Sequence, residues 1–112
     1  MARDPIDELM VRLRQEYLDE VPSRLEELSD AIAAWSNGQT PPIPLATLFH
    51  RLSGSAGAYG FSEVSRICRE TEQWLASEPD PLPESWSRLR NALDRIEQSF
   101  RTGPEGLDIA GG

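Results

Sequence analysis

Apolar side chains recur along this sequence at intervals of three and four residues, which is the spacing of one face of an α-helix. No stretch shows the alternation of apolar and polar residues that is typical of a half-buried β-strand. Apolar stripes of this kind predict five helices. In chain order the stripes are Ile6, Leu9, Met10, Leu13 and Tyr17; Val21, Leu25, Leu28, Ile32 and Trp35; Leu45, Leu48, Phe49, Leu52 and Ala56; Val64, Ile67, Cys68, Thr71, Trp74 and Leu75; and Trp86, Leu89, Leu93, Ile96 and Phe100.

A proline separates the first two stripes. Asp4-Pro5 can begin the first helix, because the carboxylate caps free backbone N–H groups and proline suits the first helical position. Pro22 has no N–H group and disfavours helix at Val21, so we expect a break or kink there. The second helix then begins at about Pro22 and ends at Asn37-Gly38, which is a plausible C-terminal cap.

The remaining boundaries also follow from prolines and glycines. Two proline-dense segments, 39–44 and 78–83, predict loops before the third and the fifth helix. The third helix is expected to end near Tyr59-Gly60, and the fourth to begin near Ser62. Residues 102–112 have no apolar period and are rich in glycine. We therefore predict a helical domain at 1–101 and a flexible tail or linker at 102–112.

Helices that each have one apolar face, joined by short connections, pack those faces together when no sheet is available. The predicted fold class is all-α: an antiparallel up-down four-helix bundle with an additional N-terminal helix. A chain of 112 residues is long enough to form one domain around a single core.

Composition and charge restrict the possible partners. The formal charge of −8 opposes binding to phosphate backbones and anionic lipids, so neither nucleic acid nor a membrane is expected as a partner. No apolar run approaches the roughly 18 residues that span a bilayer, and residues 1–5 lack the apolar core of a signal peptide. We expect a monomeric, cytoplasmic protein.

The chain has one cysteine, Cys68, and one histidine, His50, so it offers neither an internal disulfide nor the side chains of a structural zinc site. Cys68 lies on the apolar face of its helix and is interpreted as a small core residue. The acidic residues of the first two helices fall mostly off the apolar stripes and are interpreted as a solvated face. No metal site is predicted.

His50 is the strongest candidate for chemistry. It lies about 140° around its helix from Leu45, the first apolar residue of the third stripe, and so away from the core face. Its neighbours on a helix surface are small: Ala46, Ser53, Gly54 and Gly57. An exposed neutral imidazole is a competent nucleophile near neutral pH.

The two glycines need a reason, because each costs about 1 kcal/mol relative to alanine inside a helix. One interpretation is that Gly54 and Gly57 allow a neighbouring helix to pack closely, or that the helix ends early at a glycine cap. The other is that a partner protein must reach the imidazole, which makes Ala46, Gly54 and Gly57 candidate docking residues.

The segment His50-Arg51-Leu52-Ser53-Gly54-Ser55-Ala56-Gly57, followed by Gly60, resembles the signature of histidine-containing phosphotransfer (HPt) domains, which usually reads His-x-Leu-Lys-Gly-Ser. The resemblance covers roughly residues 6–101. It implies that His50 is a phosphoacceptor, which takes a phosphoryl group from a receiver-domain phosphoaspartate and passes it to another aspartate. The implied partners are response-regulator receiver domains and possible hybrid histidine kinases. Mg²⁺ would belong to the receiver, so the chain needs no cofactor and is not itself an enzyme.

Ser53 stands where the family usually has a lysine beside the phosphohistidine. The resemblance then implies that a phosphoryl group would rely on the Ser53 hydroxyl and on a more distant group, with Gly54 leaving room for it. Arg51, Arg69 and Gln73 are candidates for that group, in no order. The serine also supports an alternative function: a helical interaction or regulatory domain that keeps the fold without being phosphorylated.

Overall fold

The computed structural model describes residues 4–77 and 80–104, and in these ranges the chain forms four α-helices and no β-strand. The helices are α1 (Pro5–Ser36), α2 (Pro42–Ala58), α3 (Ser62–Ser77) and α4 (Ser85–Thr102). The predicted all-α fold is confirmed. Most of the predicted tail, residues 105–112, lies outside the described ranges, so its flexibility stays a prediction. None of the four helices is both long and apolar enough to cross a membrane.

α1 is one continuous helix of 32 residues that contains Pro22. Of the break or kink predicted at Val21, the break is therefore wrong, and so is the additional N-terminal helix; the kink stays a prediction. A proline inside a helix removes one hydrogen bond and crowds the preceding turn. However, Tyr17 and Val21 before it and Leu28 after it are all buried. Because their spacing keeps them on one face, an uninterrupted helix buries both predicted stripes in the same core.

The helix starts follow from the local sequence. The Asp4 carboxylate accepts a hydrogen bond of 2.8 Å from the backbone N–H of Ile6, which confirms the predicted cap. α2 begins inside the segment predicted to be a loop, so that prediction is wrong for residues 42–44. Pro42 and Pro44 lie in the first turn of α2, where backbone N–H groups have no helical acceptor. The missing donors therefore cost little at these positions.

The helices form an antiparallel bundle in which each packs against its neighbours in sequence and α4 closes against α1. Contacts pair rising residue numbers on one helix with falling numbers on the next, as two pairs between α2 and α3 show: His50 with Glu72, and Ser53 with Ser65. The other three interfaces contain the pairs Tyr17 with Ser55, Trp74 with Arg88, and Ser29 with Arg90. The predicted up-down topology is confirmed.

Two of the predicted apolar stripes extend beyond the core. Ile6 and Leu9 are exposed, because the first turns of α1 pass the end of the bundle, where Arg14 donates a hydrogen bond of 2.9 Å to the backbone carbonyl of Tyr59. Trp86 is 43% exposed in the first turn of α4, at the opposite end of the bundle. Trp35, by contrast, is fully buried and packs edge-on against Trp74.

Candidate functional site

α2 carries His50 at the border between its core face and solvent. Leu45, Phe49, Leu52 and Ala56 are buried on one side of the helix and hold its orientation in the bundle. The His50 side chain is 74% exposed and lies on the flank of α2 that faces α3. The structure therefore presents the imidazole to solvent, as the sequence predicts, while the helix beneath it is anchored by the core.

Glu72 on α3 contacts the imidazole directly. Its two carboxylate oxygens lie 3.2 Å and 3.1 Å from Nδ1 of His50. An ionised carboxylate can only accept hydrogen bonds, so in a neutral imidazole the proton is held on Nδ1. Nε2 then carries the free lone pair and is the nucleophilic nitrogen. The carboxylate also favours the positive charge that the ring acquires when Nε2 is substituted.

Glu72 does not stand out in the sequence, because the helical neighbours of the imidazole on α2 are all small and Glu72 belongs to another helix. On α3, Glu72 follows the buried Thr71 and reads as an ordinary charged residue next to an apolar stripe. Only the antiparallel register of α2 and α3 brings it to His50. The short turn at 59–61 is the signal in the sequence that could have identified Glu72, because it restricts how α3 can align with α2.

The two glycines beside His50 have different surroundings. A Cβ atom added at Gly54 would meet no atom within 4 Å, so this position is open to solvent. A Cβ atom added at Gly57 would lie 3.4 Å from the Ser65 hydroxyl of α3. Gly57 therefore fits the close-packing interpretation, whereas Gly54 has open space beside the imidazole. The docking roles of both glycines stay predictions.

Ala46, the third candidate docking residue, is half-buried one turn before His50. It lines a shallow apolar groove of about 250 Å³ between the start of α2 and the end of α3. The other residues of the groove are Pro42, Ile43, Leu75 and Ala76. The surface next to the imidazole is thus apolar on this side, with Ile43 strongly exposed.

Ser53 lies in the interface between α2 and α3 and is only 7% exposed. Its hydroxyl is 3.2 Å from the Ser65 hydroxyl and 3.4 Å from the Ser65 carbonyl oxygen. The side chain is therefore directed into the packed interface, and its hydrogen-bonding capacity is used there. Its proposed contact with a phosphoryl group stays a prediction.

The three candidates for a more distant phosphoryl contact lie on two surfaces, one on α2 and one on α3. Arg51 lines a small groove toward α1, which also contains Arg24 and Glu27. Arg69 and Gln73 are exposed on α3, on either side of Glu72 in the sequence. By helical geometry Arg69 lies about 60° around α3 from Glu72 and Gln73 about 100°, both in the same direction.

The other flank of α2 is fixed to α1. The Tyr17 hydroxyl is 2.9 Å from the Ser55 hydroxyl, and the ring of Tyr17 stacks on Tyr59 with 4.6 Å between centroids. Burial raises the pKa of the Tyr17 phenol, so this group stays neutral in its hydrogen bond. Arg14 donates to the carbonyl of Tyr59 at the C-terminal end of α2, where helix carbonyls lack partners.

Other candidate groups fit a structural role. Cys68 is fully buried, and burial raises its pKa to about 12, so the predicted core role is confirmed. In the ranges 4–77 and 80–104, no three His, Cys, Asp or Glu side chains are grouped so that they could hold a metal ion.

Residues 12–99 match a protein-family model described as Hpt domain. The matched range begins in α1 and ends in α4, and it contains the whole site on α2 and α3. Comparison with curated proteins and with solved structures gave no match.

Proposed function

The chain belongs to the Hpt domain family, whose members serve histidine phosphotransfer in two-component systems, and on this premise we propose that His50 is its phosphoacceptor. In the proposed reaction His50 takes a phosphoryl group from the phosphoaspartate of a receiver domain and later passes it to an aspartate of another. Hpt domains are transfer modules rather than catalysts. We accordingly assign the Mg²⁺ of the reaction to the receiver.

The exposed imidazole with Nδ1 held by Glu72 is the observation that carries this proposal. Nε2 attacks phosphorus in line, the bond from phosphorus to the aspartate oxygen breaks, and the carboxylate leaves with the electron pair. Glu72 keeps the proton on Nδ1 throughout and faces the positive charge of the substituted ring. In the second transfer an aspartate oxygen of the next receiver attacks phosphorus, the bond from phosphorus to Nε2 breaks, and Nε2 regains its lone pair.

The open surface around the imidazole supports a protein as donor. Gly54 leaves free space on one side of His50, and the apolar groove at Ala46 lies on the other. A receiver domain needs such access, because its aspartate must come within bonding distance of Nε2. We further propose that the chain acts as a monomer in the cytoplasm, where receiver domains and hybrid kinases are its partners.

His50→Gln tests the proposal. With a phosphorylated receiver as donor, the wild-type chain should acquire acid-labile, base-stable label, and the variant should acquire none. The melting temperature should change little, because the imidazole is exposed and has no part in the core. Label on the variant, or its unfolding, would contradict the assignment. Because the chain has a single histidine, label on the wild type identifies its site.

A second candidate function is a helical interaction domain without phosphotransfer. The burial of the serine that replaces the family's usual lysine favours it, because position 53 then supplies no cation to a phosphohistidine. The same experiment decides between the two functions. A wild-type chain that binds phosphorylated receivers and never acquires label would support the interaction domain.

A further inference from the structure

A phosphoryl group on His50 would enter an unfavourable electrostatic environment. It carries up to about two negative charges. The Glu72 carboxylate contacts the ring, and the chain as a whole has a formal charge of −8. A cation that contacts the phosphoryl oxygens would offset this repulsion through a charge-assisted hydrogen bond.

The chain contains no lysine, so this cation has to be one of its 11 arginines. Only Arg51, Arg66 and Arg69 lie on α2 and α3. Arg66 is engaged by two carboxylates, since it pairs with Glu63 and lies 2.6 Å from Glu70. Two candidates therefore remain on these helices.

The position of Arg51 does not suit this contact. It follows His50 by one residue, which places it about 100° around α2. That direction leads to the α1 flank, where Arg51 lines a groove with Glu27. The imidazole, by contrast, lies on the α3 flank beside Glu72. The two side chains therefore leave α2 in directions about 100° apart.

Arg69 lies on the correct flank. Two contacts fix the register of α3 against α2: His50 with Glu72, and Ser53 with Ser65. Arg69 falls between Glu72 and Ser65 in the sequence, about 60° around the helix from Glu72 and about 40° from Ser65. It is about 4.5 Å along the helix axis from Glu72, in the direction of Ser53 and Gly54. This axial offset from Glu72, which contacts the imidazole, is shorter than one helical turn.

The surroundings of Arg69 leave its guanidinium available. It is exposed and makes no hydrogen bond, ion pair or ring contact with the residues that the structure describes. On α2, Gly54 has no side chain and lies about 40° around the helix from His50, and the space beside it is open. No side chain at position 54 therefore obstructs a guanidinium that extends from α3 toward Nε2 of His50.

We propose that Arg69 is the phosphoryl-binding cation of this site, which contacts the phosphoryl oxygens on Nε2 of His50 across the open position at Gly54. This inference rests on the proposed function, since it assumes a phosphorylated His50. It assigns the cation to α3, because the residue three positions after the histidine is a buried serine. Gly54 then has a second use, as the gap through which the arginine reaches the phosphoryl group.

The test uses phosphoramidate, which transfers its phosphoryl group to Nε2 with release of ammonia and needs no partner protein. Untagged wild type, Arg69→Gln, Arg69→Lys and the matched control Arg51→Gln are labelled on His50. Two quantities are then measured: the lifetime of phospho-His50, and the pKa of its phosphoryl group from a ³¹P NMR titration. A cation on the phosphoryl oxygens stabilises the phosphorylated state more than a metaphosphate-like transition state, which has less charge on this group.

Arg69→Gln should lose its label at least about threefold faster than wild type, as expected for loss of one solvent-exposed ion pair. The phosphoryl pKa should rise in this variant, because a neighbouring cation favours the dianion. Arg69→Lys should return the lifetime and the phosphoryl pKa most of the way to their wild-type values. Arg51→Gln should match wild type in both quantities. Unchanged lifetime and pKa in Arg69→Gln would overturn the proposal, as would the same changes in Arg51→Gln.

The outcome is separable from that of the proposed function. Phosphoramidate labels a histidine chemically, so the role of Arg69 is measured even if no receiver exchanges phosphoryl groups with the wild-type chain. Failure of receiver transfer in wild type, with a clear effect of Arg69→Gln on the lifetime, would reject the relay and retain the phosphoryl contact. A wild-type chain that phosphoramidate fails to label would overturn both.

Discussion

The two flanks of α2 are built in opposite ways. The flank toward α1 is held by large side chains, with Tyr17 hydrogen-bonded to Ser55 and stacked on Tyr59. The flank toward α3 has small residues, so that Ser53 and Gly57 bring the Ser65 region of α3 close. The histidine lies on the second flank. A nucleophile on a helix can thus be both exposed and rigidly held when one flank supplies the anchor and the other leaves the space.

This difference predicts that changes on the α1 flank affect stability and changes on the α3 flank affect chemistry. Tyr17→Ala should have the largest effect on stability, a loss of about 3–5 kcal/mol in the free energy of unfolding, because it removes a buried aromatic ring and leaves a cavity. Chemical denaturation measures this loss. Labelling by phosphoramidate, normalised to the folded fraction, should stay near that of wild type.

Tyr17→Phe is the matched control for that variant. It keeps the ring and loses only the hydrogen bond to Ser55, so its loss should be about 1 kcal/mol. A large decrease in phosphoramidate labelling by folded Tyr17→Ala would contradict the division between the two flanks, because it would show that the α1 flank also shapes the imidazole site.

Gly54→Gln should have the largest effect on transfer. A side chain at this position would extend back over the imidazole, since Cα–Cβ bonds tilt toward the helix N-terminus. Transfer from a phosphorylated receiver should fall by about a hundredfold, as for a misplaced reactive group. Labelling by the much smaller phosphoramidate should remain closer to wild type, and stability should hold or rise by up to about 1 kcal/mol.

Gly57→Gln provides the comparison, since it lies on the same flank but against Ser65. It should lower the melting temperature, because its side chain has to displace the neighbouring hydroxyl. If Gly54→Gln slowed both donors equally, or lost stability as Gly57→Gln does, Gly54 would be a packing residue and the open surface would have no role in docking.

Ser53→Lys sharpens the comparison at the buried edge of the α3 flank. Ser53 is only 7% exposed, so the lysine side chain has to extend out of the interface to bring its ammonium group to solvent. The hydrogen bonds to Ser65 are lost. We expect a loss of about 1–3 kcal/mol in the free energy of unfolding, the usual cost of overpacking. The phospho-form should nevertheless live longer, because the ammonium adds a cation near the phosphoryl group. Ser53→Ala controls for the lost hydrogen bonds alone, and equal melting curves for Ser53→Lys and wild type would contradict the buried position.

Glu72→Ala should have a smaller effect than the three substitutions Tyr17→Ala, Gly54→Gln and Ser53→Lys. Without the carboxylate, Nδ1 loses its acceptor and part of the neutral imidazole moves to the tautomer with a proton on Nε2. Phosphoramidate labelling should slow by about two- to fivefold, in line with the loss of one partly exposed pair. The ¹⁵N chemical shifts of the ring report the tautomer directly, and unchanged shifts in the variant would show that Glu72 does not hold the proton.

Much of the molecule follows from its linear pattern. The spacing of Leu45, Phe49 and Leu52 predicts the core face of α2, and all three are buried. The same arithmetic predicts the exposure of His50, because a helix turns by a constant angle per residue. A local rule failed at Pro22, where burial of apolar side chains on both sides outweighs the cost of one proline. Local preferences are worth a few kcal/mol at most, and a shared core can exceed them.

What the sequence by itself determined is the set of helical faces: which residues of each helix are buried, and that a lone histidine lies among small neighbours. The tertiary structure decided which faces meet. Glu72 reaches Nδ1 of His50 only because α2 and α3 pack antiparallel in one register. That register depends on interactions between residues distant in the chain, such as the close approach of Gly57 to Ser65. A helical period describes each helix alone and contains no information about how far one helix slides along its neighbour.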